Sequence, residues 1–209
     1  MCRLVCALLQ LARQGWARFF SRAVPICLLA ILALPLRAQP APLLLGTDSQ
    51  PLNAWSAITL KADPTYQLSV QDMLGRLSEF EAPALRGGSL GLQKAAIWLR
   101  VPVITHETRK VPWMVQLGYS SLQADIYLTR GSEVLQHVRS DGAGHWGASS
   151  RSPAMVFNLP ARQPHDLLIR VQASGPLILP ITVGELSHQI HDALREQMLQ
   201  GLLNGLAFC

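Results

Sequence analysis

Cysteine is nearly missing from the part of this chain that could form a globular domain. Cys2, Cys6 and Cys27 stand near the start, and Cys209 ends the sequence. No pair remains between them, so neither a disulfide framework nor a thiolate zinc site is available there. Surplus charge is missing from the same stretch. Five arginines before residue 39 account for the whole net charge of +5, and from Gln39 onward thirteen basic residues meet thirteen acidic ones. A nucleic-acid surface therefore loses its electrostatic basis. Catalytic signatures are also lacking. The chain has no Gly-x-Ser-x-Gly, no His-Glu-x-x-His, no phosphate-cradling glycine loop and no cysteine nucleophile in its globular part, so an enzyme is not expected and no cofactor is implied.

What is present begins with a leader. Residues 1–38 read as a signal peptide: Arg3, Arg13, Arg18 and Arg22 come first, then an apolar core from Ala23 to Leu36, then Arg37-Ala38. The core is short for a bilayer span, which takes about 20 residues. An uncleaved anchor is the alternative. Val24-Pro25-Ile26 before Cys27 do not make a lipidation box. Residues 39–52 are Pro-rich at their start and read as an extended linker.

The stretch Leu90–Val103, LGLQKAAIWLRVPV, is the best strand signal. Ile97, Leu99, Val101 and Val103 alternate onto one face, Trp98 and Arg100 onto the other. Pro102 argues against a helix and for a strand with one side free of ladder bonds. Further short strands are expected at Asn53–Leu60, Trp113–Leu117, Ala124–Leu128, Glu133–Val138, Ala154–Leu159, Asp166–Val171 and Leu177–Val183, separated by turn residues such as Gly118, Gly131 and the cluster Asp141–Gly147. Strands of this length and spacing predict an all-β antiparallel β-sandwich over residues 53–183. Its expected core includes Ile97, Leu99, Val101, Ile126, Leu128, Phe157, Ile169 and Val171. Ser69 before Val70-Gln71-Asp72 predicts an N-capped short helix over Val70–Leu74. After Gly184 the period changes. Leu186, Ile190, Leu194 and Met198 recur at four-residue steps, which predicts an amphipathic helix over 184–200. Residues 201–209, GLLNGLAFC, read as the start of a truncated transmembrane helix.

Several of these residues carry a resemblance. Gly91 followed by Trp98-Leu99-Arg100, then Asp125-Ile126-Tyr127-Leu128, then Leu168-Ile169-Arg170-Val171, preceded by Asp63 and Asp72, resemble the type 2 extracellular domain of the seven-transmembrane receptors with diverse intracellular signalling modules. Leu168 departs from the family pattern, which has Tyr there. The resemblance implies a jelly-roll-like sandwich similar to carbohydrate-binding modules. It also implies a role as an extracytoplasmic sensor that binds a small molecule or carbohydrate-like ligand, and a location in the periplasm anchored to the bacterial inner membrane by the C-terminal helix. Binding of a protein partner or of a second copy, without a ligand, is the competing function, and a glycan-active enzyme the least supported one.

The candidate ligand residues are Trp146, His145, Tyr119 and Arg100. Trp113, Tyr119 and Trp146 could form a sugar-stacking platform, but Trp98 and Trp113 sit in predicted strands and fit a core. Trp146 and His145 belong to a Gly-rich loop, where function concentrates. Arg100 and Arg170 in apolar strands need partners, either a ligand anion or a carboxylate such as Asp125 or Asp166. His188 and His191 have a spacing that permits metal binding, but with no carboxylate or thiolate cluster beside them they read as solvated, and no metal is expected.

Overall fold

The Trp98 strand is the centre of the architecture. In the computed structural model, which describes residues 40–47, 50–83, 87–118, 122–141, 152–172 and 175–207, it is β5, Ala96–Thr105. β10, His165–Gln172, runs antiparallel along one side of it, Val171 opposite Ile97 and His165 opposite Val103. Its other side changes partner. β3, Thr59–Asp63, pairs with it from Ala96 to Arg100, and β1, Leu43–Leu45, pairs in parallel from Val103 to Thr105. Pro102 falls in the gap between these two partners, where a strand can do without a donor. So the expected free side exists, but only locally. β7, Gln123–Arg130, continues the sheet beyond β10, and β8, Glu133–Asp141, closes it. The result is a six-stranded sheet.

The second sheet has four strands, in the order β2 (Leu52–Asn53), β12 (Ile181–Glu185), β6 (Pro112–Leu117), β9 (Ala154–Asn158). A two-stranded ribbon pairs β4 (Ser89–Leu92) with β11 (Pro176–Ile178). Period-2 alternation turns one face of each large sheet inward. Leu99, Val101, Ile126, Leu128, Ile169 and Val171 from the first meet Trp113, Val115, Phe157, Met155, Ile181 and Val183 from the second in one buried cluster. Every core residue expected from the sequence is in it, and Trp113 is core rather than platform.

Some boundaries differ from expectation. Asn53–Leu60 is not one strand. The Asn53 side chain accepts from the Trp55 backbone at 3.0 Å and starts a 3-10 turn over Ala54–Ser56, so the strand begins only at Thr59. Leu177–Val183 is two strands, split at Leu179-Pro180. Leu179 is held in the gap by its amide, which donates to the Gly88 carbonyl, and by its carbonyl, which accepts from the Trp55 indole at 2.6 Å. Leu43–Leu45, expected as linker, is extended but joins the sheet.

The outer face of the six-stranded sheet is not bare. Chain between β3 and β4 folds over part of it. Asp63 is fully buried and organises this segment: its carboxylate accepts from the Thr65 hydroxyl at 2.6 Å, the Thr65 amide at 3.0 Å and the Leu68 amide at 3.0 Å. α1, Val70–Leu74, follows as predicted, with a capping box in which Ser69 and Asp72 exchange bonds. Met73 and Phe80 from this segment bury Trp98, Tyr127 and Leu168 in a second cluster.

The C-terminal helix α2 spans Leu186–Ala207. It passes through Gly201, where the boundary between the amphipathic helix and a membrane segment was expected. Glycine weakens a helix interior by about 1 kcal/mol but need not end it. The expected apolar face does not pack on the sandwich. Ile190, Leu194 and Met198 are exposed, while Gln189 is buried. Among the described residues, the side-chain bonds from the helix to the sandwich come from its start. Gln189 Nε2 donates to the Met114 carbonyl at 2.7 Å, and His188 Nε2 lies 3.2 Å from the Thr47 carbonyl. Among the described residues no helix is long and apolar enough to cross a membrane. The leader, 1–38, lies outside the described residues, as do Phe208 and Cys209.

Candidate functional site

Strand register builds two rows of side chains across the outer face of the six-stranded sheet. One row is Trp98, Arg170, Asp125 and Arg139, and the next is Arg100, Leu168, Tyr127 and His137, each read from β5 through β10 and β7 to β8. Residues directly opposite in antiparallel strands share a face, so four strands contribute to one patch. The segment carrying α1 covers its Trp98 end. The β8 end is open, with the Arg139 side chain 70% exposed and that of His137 38% exposed.

Asp125 is the hub. Its side chain is only 8% exposed, and a carboxylate so buried must be compensated. Arg139 Nε donates to Oδ1 at 2.7 Å and His137 Nε2 lies 2.9 Å from the same oxygen. Arg170 Nη1 stands 3.7 Å from Oδ2. Arg170 also donates through Nη2 to the Tyr66 carbonyl at 3.0 Å. Tyr66 has φ of 61°, a left-handed conformation costly for a bulky residue, in the turn that Asp63 closes. The carboxylate of Asp125 raises the Arg139 guanidinium further above its already high range. Burial raises the Tyr127 phenol, and Asp125 adds to that. These effects keep the Arg139 guanidinium charged and the Tyr127 phenol neutral through the physiological range.

Rings cross the same face. Trp98 and Tyr127 lie 6.0 Å apart at 20°, and Tyr127 and His137 are stacked at 4.2 Å and 4°. Trp98 is fully buried, and its Nε1 finds no partner among the described residues.

Arg100 sits one row over and is engaged elsewhere. Its Nε and Nη2 hold the two Asp166 oxygens at 2.9 and 3.1 Å, a bidentate pair with both side chains half-buried. This is the carboxylate pairing that the sequence suggested, and it keeps Arg100 apart from the Asp125 group. Tyr119, His145 and Trp146 lie outside the described residues. The segments that carry them attach to the same end of the β7–β8 hairpin, since Gln123 and Asp141 are paired there. No group of metal-ligating side chains occurs among the described residues.

His137 and Arg139 were missed as site residues. A signal for them existed. A turn at Gly131 pairs Arg130 with Glu133, and a one-residue register shift between Thr129 and Leu128 then brings Tyr127 opposite His137 and Asp125 opposite Arg139, two period-2 couples of complementary chemistry. Reading the histidines as scattered concealed this.

The sequence model of the family described as 7TMR-DISM extracellular 2 matches residues 56–185. No curated protein matches the chain. Among solved structures, the chain is similar to a beta-glucosidase from Kluyveromyces marxianus in complex with glucose, at 13% identity and a TM-score of 0.35, over 60% of this chain and 15% of that one. A selenomethionine-labelled form of the same enzyme is similar at 12% identity and a TM-score of 0.38, over 71% of this chain and 18% of that one. This chain therefore spans less than a fifth of the length of either.

Proposed function

The chain belongs to the 7TMR-DISM extracellular 2 family, the extracellular sensor domain of membrane receptors, and from that premise we propose that it binds a small-molecule or carbohydrate-like ligand on the outer face of its six-stranded sheet and relays occupancy through α2. The observation that carries this reading is the patch built on Asp125. It is an ordered surface, partly buried at one end and open at the other, that brings ring faces together with charged groups able to orient a ligand. Tyr119, His145 and Trp146 enter the proposal as residues of the segments that continue from the Gln123–Asp141 end of the β7–β8 hairpin. Arg100 enters as the cation that fixes the neighbouring row.

Relay is supported by the joint at Glu185–Gln189. Gly184 lies tight against Pro51, and Gln189 and His188 tie the first turns of α2 to β6 and to the segment after β1. A helix held this way moves with the sheet, rising about 1.5 Å per residue without bending freely. A ligand drives such a joint only if it binds two of its arrangements with different affinity. The periplasm of a bacterial cell is the compartment we propose, with residues 1–38 as the export signal and residues 201–209 as entry to the inner membrane. A second reading is docking of a protein or of a second copy, favoured by the exposed row Ile190, Leu194 and Met198 on α2.

The test uses the full-length receptor, a panel of mono- and disaccharides, and an insertion of four Gly/Ser residues after Glu185. Saccharide binding should survive the insertion while the receptor's output no longer responds. Normal saccharide-dependent output from the insertion variant would reduce α2 to a stalk. No response of the unmodified receptor to any saccharide would remove the carbohydrate reading, and no response to glucuronate or benzoate either would leave docking.

A further inference from the structure

The stack of rings on the outer sheet face has an open end, and we propose that it accepts a small ring bearing a carboxylate, the ring laid on His137 and the carboxylate held by Arg139. This rests on the ligand-binding reading above and adds the chemical class of the ligand.

The three rings come from β5, β7 and β8 in that spatial order. Among the described residues β8 is the last strand of its sheet, and no strand stands beyond His137. One face of the imidazole is taken by Tyr127 at 4.2 Å, and the parallel geometry turns the other face toward the sheet edge. The ring is also fixed in its plane, because Nε2 is bonded to Asp125. A flat or ring-shaped ligand can therefore add as the next rung without ordering the protein first, which saves the entropy that a mobile side chain would lose.

Charge selects among such rings. Arg139 precedes the end of the same strand on the same face, two residues from His137. Its Nε is anchored on Asp125, so the guanidinium is held by one edge while the side chain stays largely in solvent. A fork fixed that way presents its remaining donors in the geometry a carboxylate needs. Two guanidiniums, Arg139 and Arg170, share the single carboxylate of Asp125. Asp166 is committed to Arg100 through both oxygens, and Asp63, at the covered end of the face, to Thr65 and Leu68. Arg139 is the cation that this open end offers to an incoming carboxylate, a contact that a neutral ring cannot make. Residues two apart on a strand stand about 7 Å from each other, a gap that a six-membered ring with its own carboxylate fills.

Titration calorimetry on the purified full chain tests this with three probes: glucose, glucuronate and benzoate. Glucuronate should bind at least about tenfold more tightly than glucose, the range expected for one charge-assisted bidentate contact. Arg139→Gln should abolish that difference, and Arg139→Lys should restore only part of it, since charge returns without the fork. Arg109→Gln removes the same charge from the exposed turn after β5 and should change nothing. Urea midpoints equal to wild type establish that the Arg139 variants are folded. Benzoate tightest assigns the ring to an aromatic acid, and glucuronate tightest to a sugar acid; either supports the class. Glucose and glucuronate binding alike, with no effect of Arg139→Gln, would overturn the carboxylate class and leave the sensor reading standing. Absence of binding by both acids would overturn it as well, and the receptor assay above then judges the sensor reading separately.

Discussion

A Cβ placed on Gly184 would lie 2.9 Å from the Cα of Pro51. The close approach joins the last strand of the four-stranded sheet to the residue just before its first, one residue ahead of the turn into α2. Contact with backbone cannot be relieved by a rotamer change, so the sheet or the helix must shift. Gly184→Ala should destabilise the domain by about 1–3 kcal/mol, read as a lowered urea midpoint. A midpoint equal to wild type would show that Pro51 yields without cost.

Acid should weaken the segment over the outer face. Burial alone would raise the Asp63 carboxyl, but the Thr65 hydroxyl and the amides of Leu68, Thr65 and Tyr66 outweigh it and hold it below its ordinary 3.8. A carboxyl with a lowered folded value contributes stability that is complete above 3.8 and is lost as pH falls through the folded value. Unfolding free energy should therefore decline below about pH 4. Asp63→Asn should flatten that decline and cost about 1–3 kcal/mol near neutrality. An unchanged pH profile in the variant would place the acid sensitivity in other carboxylates.

Ile169 is fully buried between Leu99 and Ile126. Ile169→Asp puts an unpaired carboxylate where no donor waits, at a cost of several kcal/mol, enough to unfold a marginally stable domain. Far-ultraviolet dichroism and a urea titration report it. A variant with wild-type stability would contradict the assignment of the inner face.

Arg100 and Asp166 should be coupled. Each single truncation leaves a half-buried charge, so Arg100→Ala and Asp166→Ala should each cost more than the loss of the pair together. The expected coupling is about 1–2 kcal/mol, below that of a fully buried pair because both side chains retain some water. Additive single effects would mean that the pair contributes orientation and no energy.

Much of the sandwich was legible because its physics is local. Ile97-Trp98-Leu99-Arg100-Val101 alternates, and alternation decides which side is core without knowledge of the partner strand. Ser69 and Asp72 announce α1 for the same reason, since capping involves residues three apart. Three other features depended on distant chain. Leu43–Leu45 offers too short a run to be called a strand, and it becomes one by adding to the edge of β5 past Pro102. Leu177–Val183 looks continuous until Gly88 and Trp55 seize Leu179. The apolar row of α2 satisfies helical periodicity, yet periodicity says nothing about which surface the row meets. Of the candidate site, Arg100 was found with its partner Asp166 among the alternatives. His137 and Arg139 required the hairpin register, and that depends on the turn at Gly131 and on the one-residue shift between Leu128 and Thr129, which no local pattern announces.

The position of β12 has a consequence for the timing of synthesis. It lies between β2 and β6, so strands made early and midway meet only through one made near the end. While the ribosome is still short of Ile181, β2 has no neighbour in its sheet, and half the wall over the core is open. The nascent domain must wait, exposed to chaperones, and a chain shortened to end at Leu179 should remain protease-sensitive where one ending at Gln200 resists. A domain that closes on its final strand is also one that can be threaded through a secretion channel before it locks.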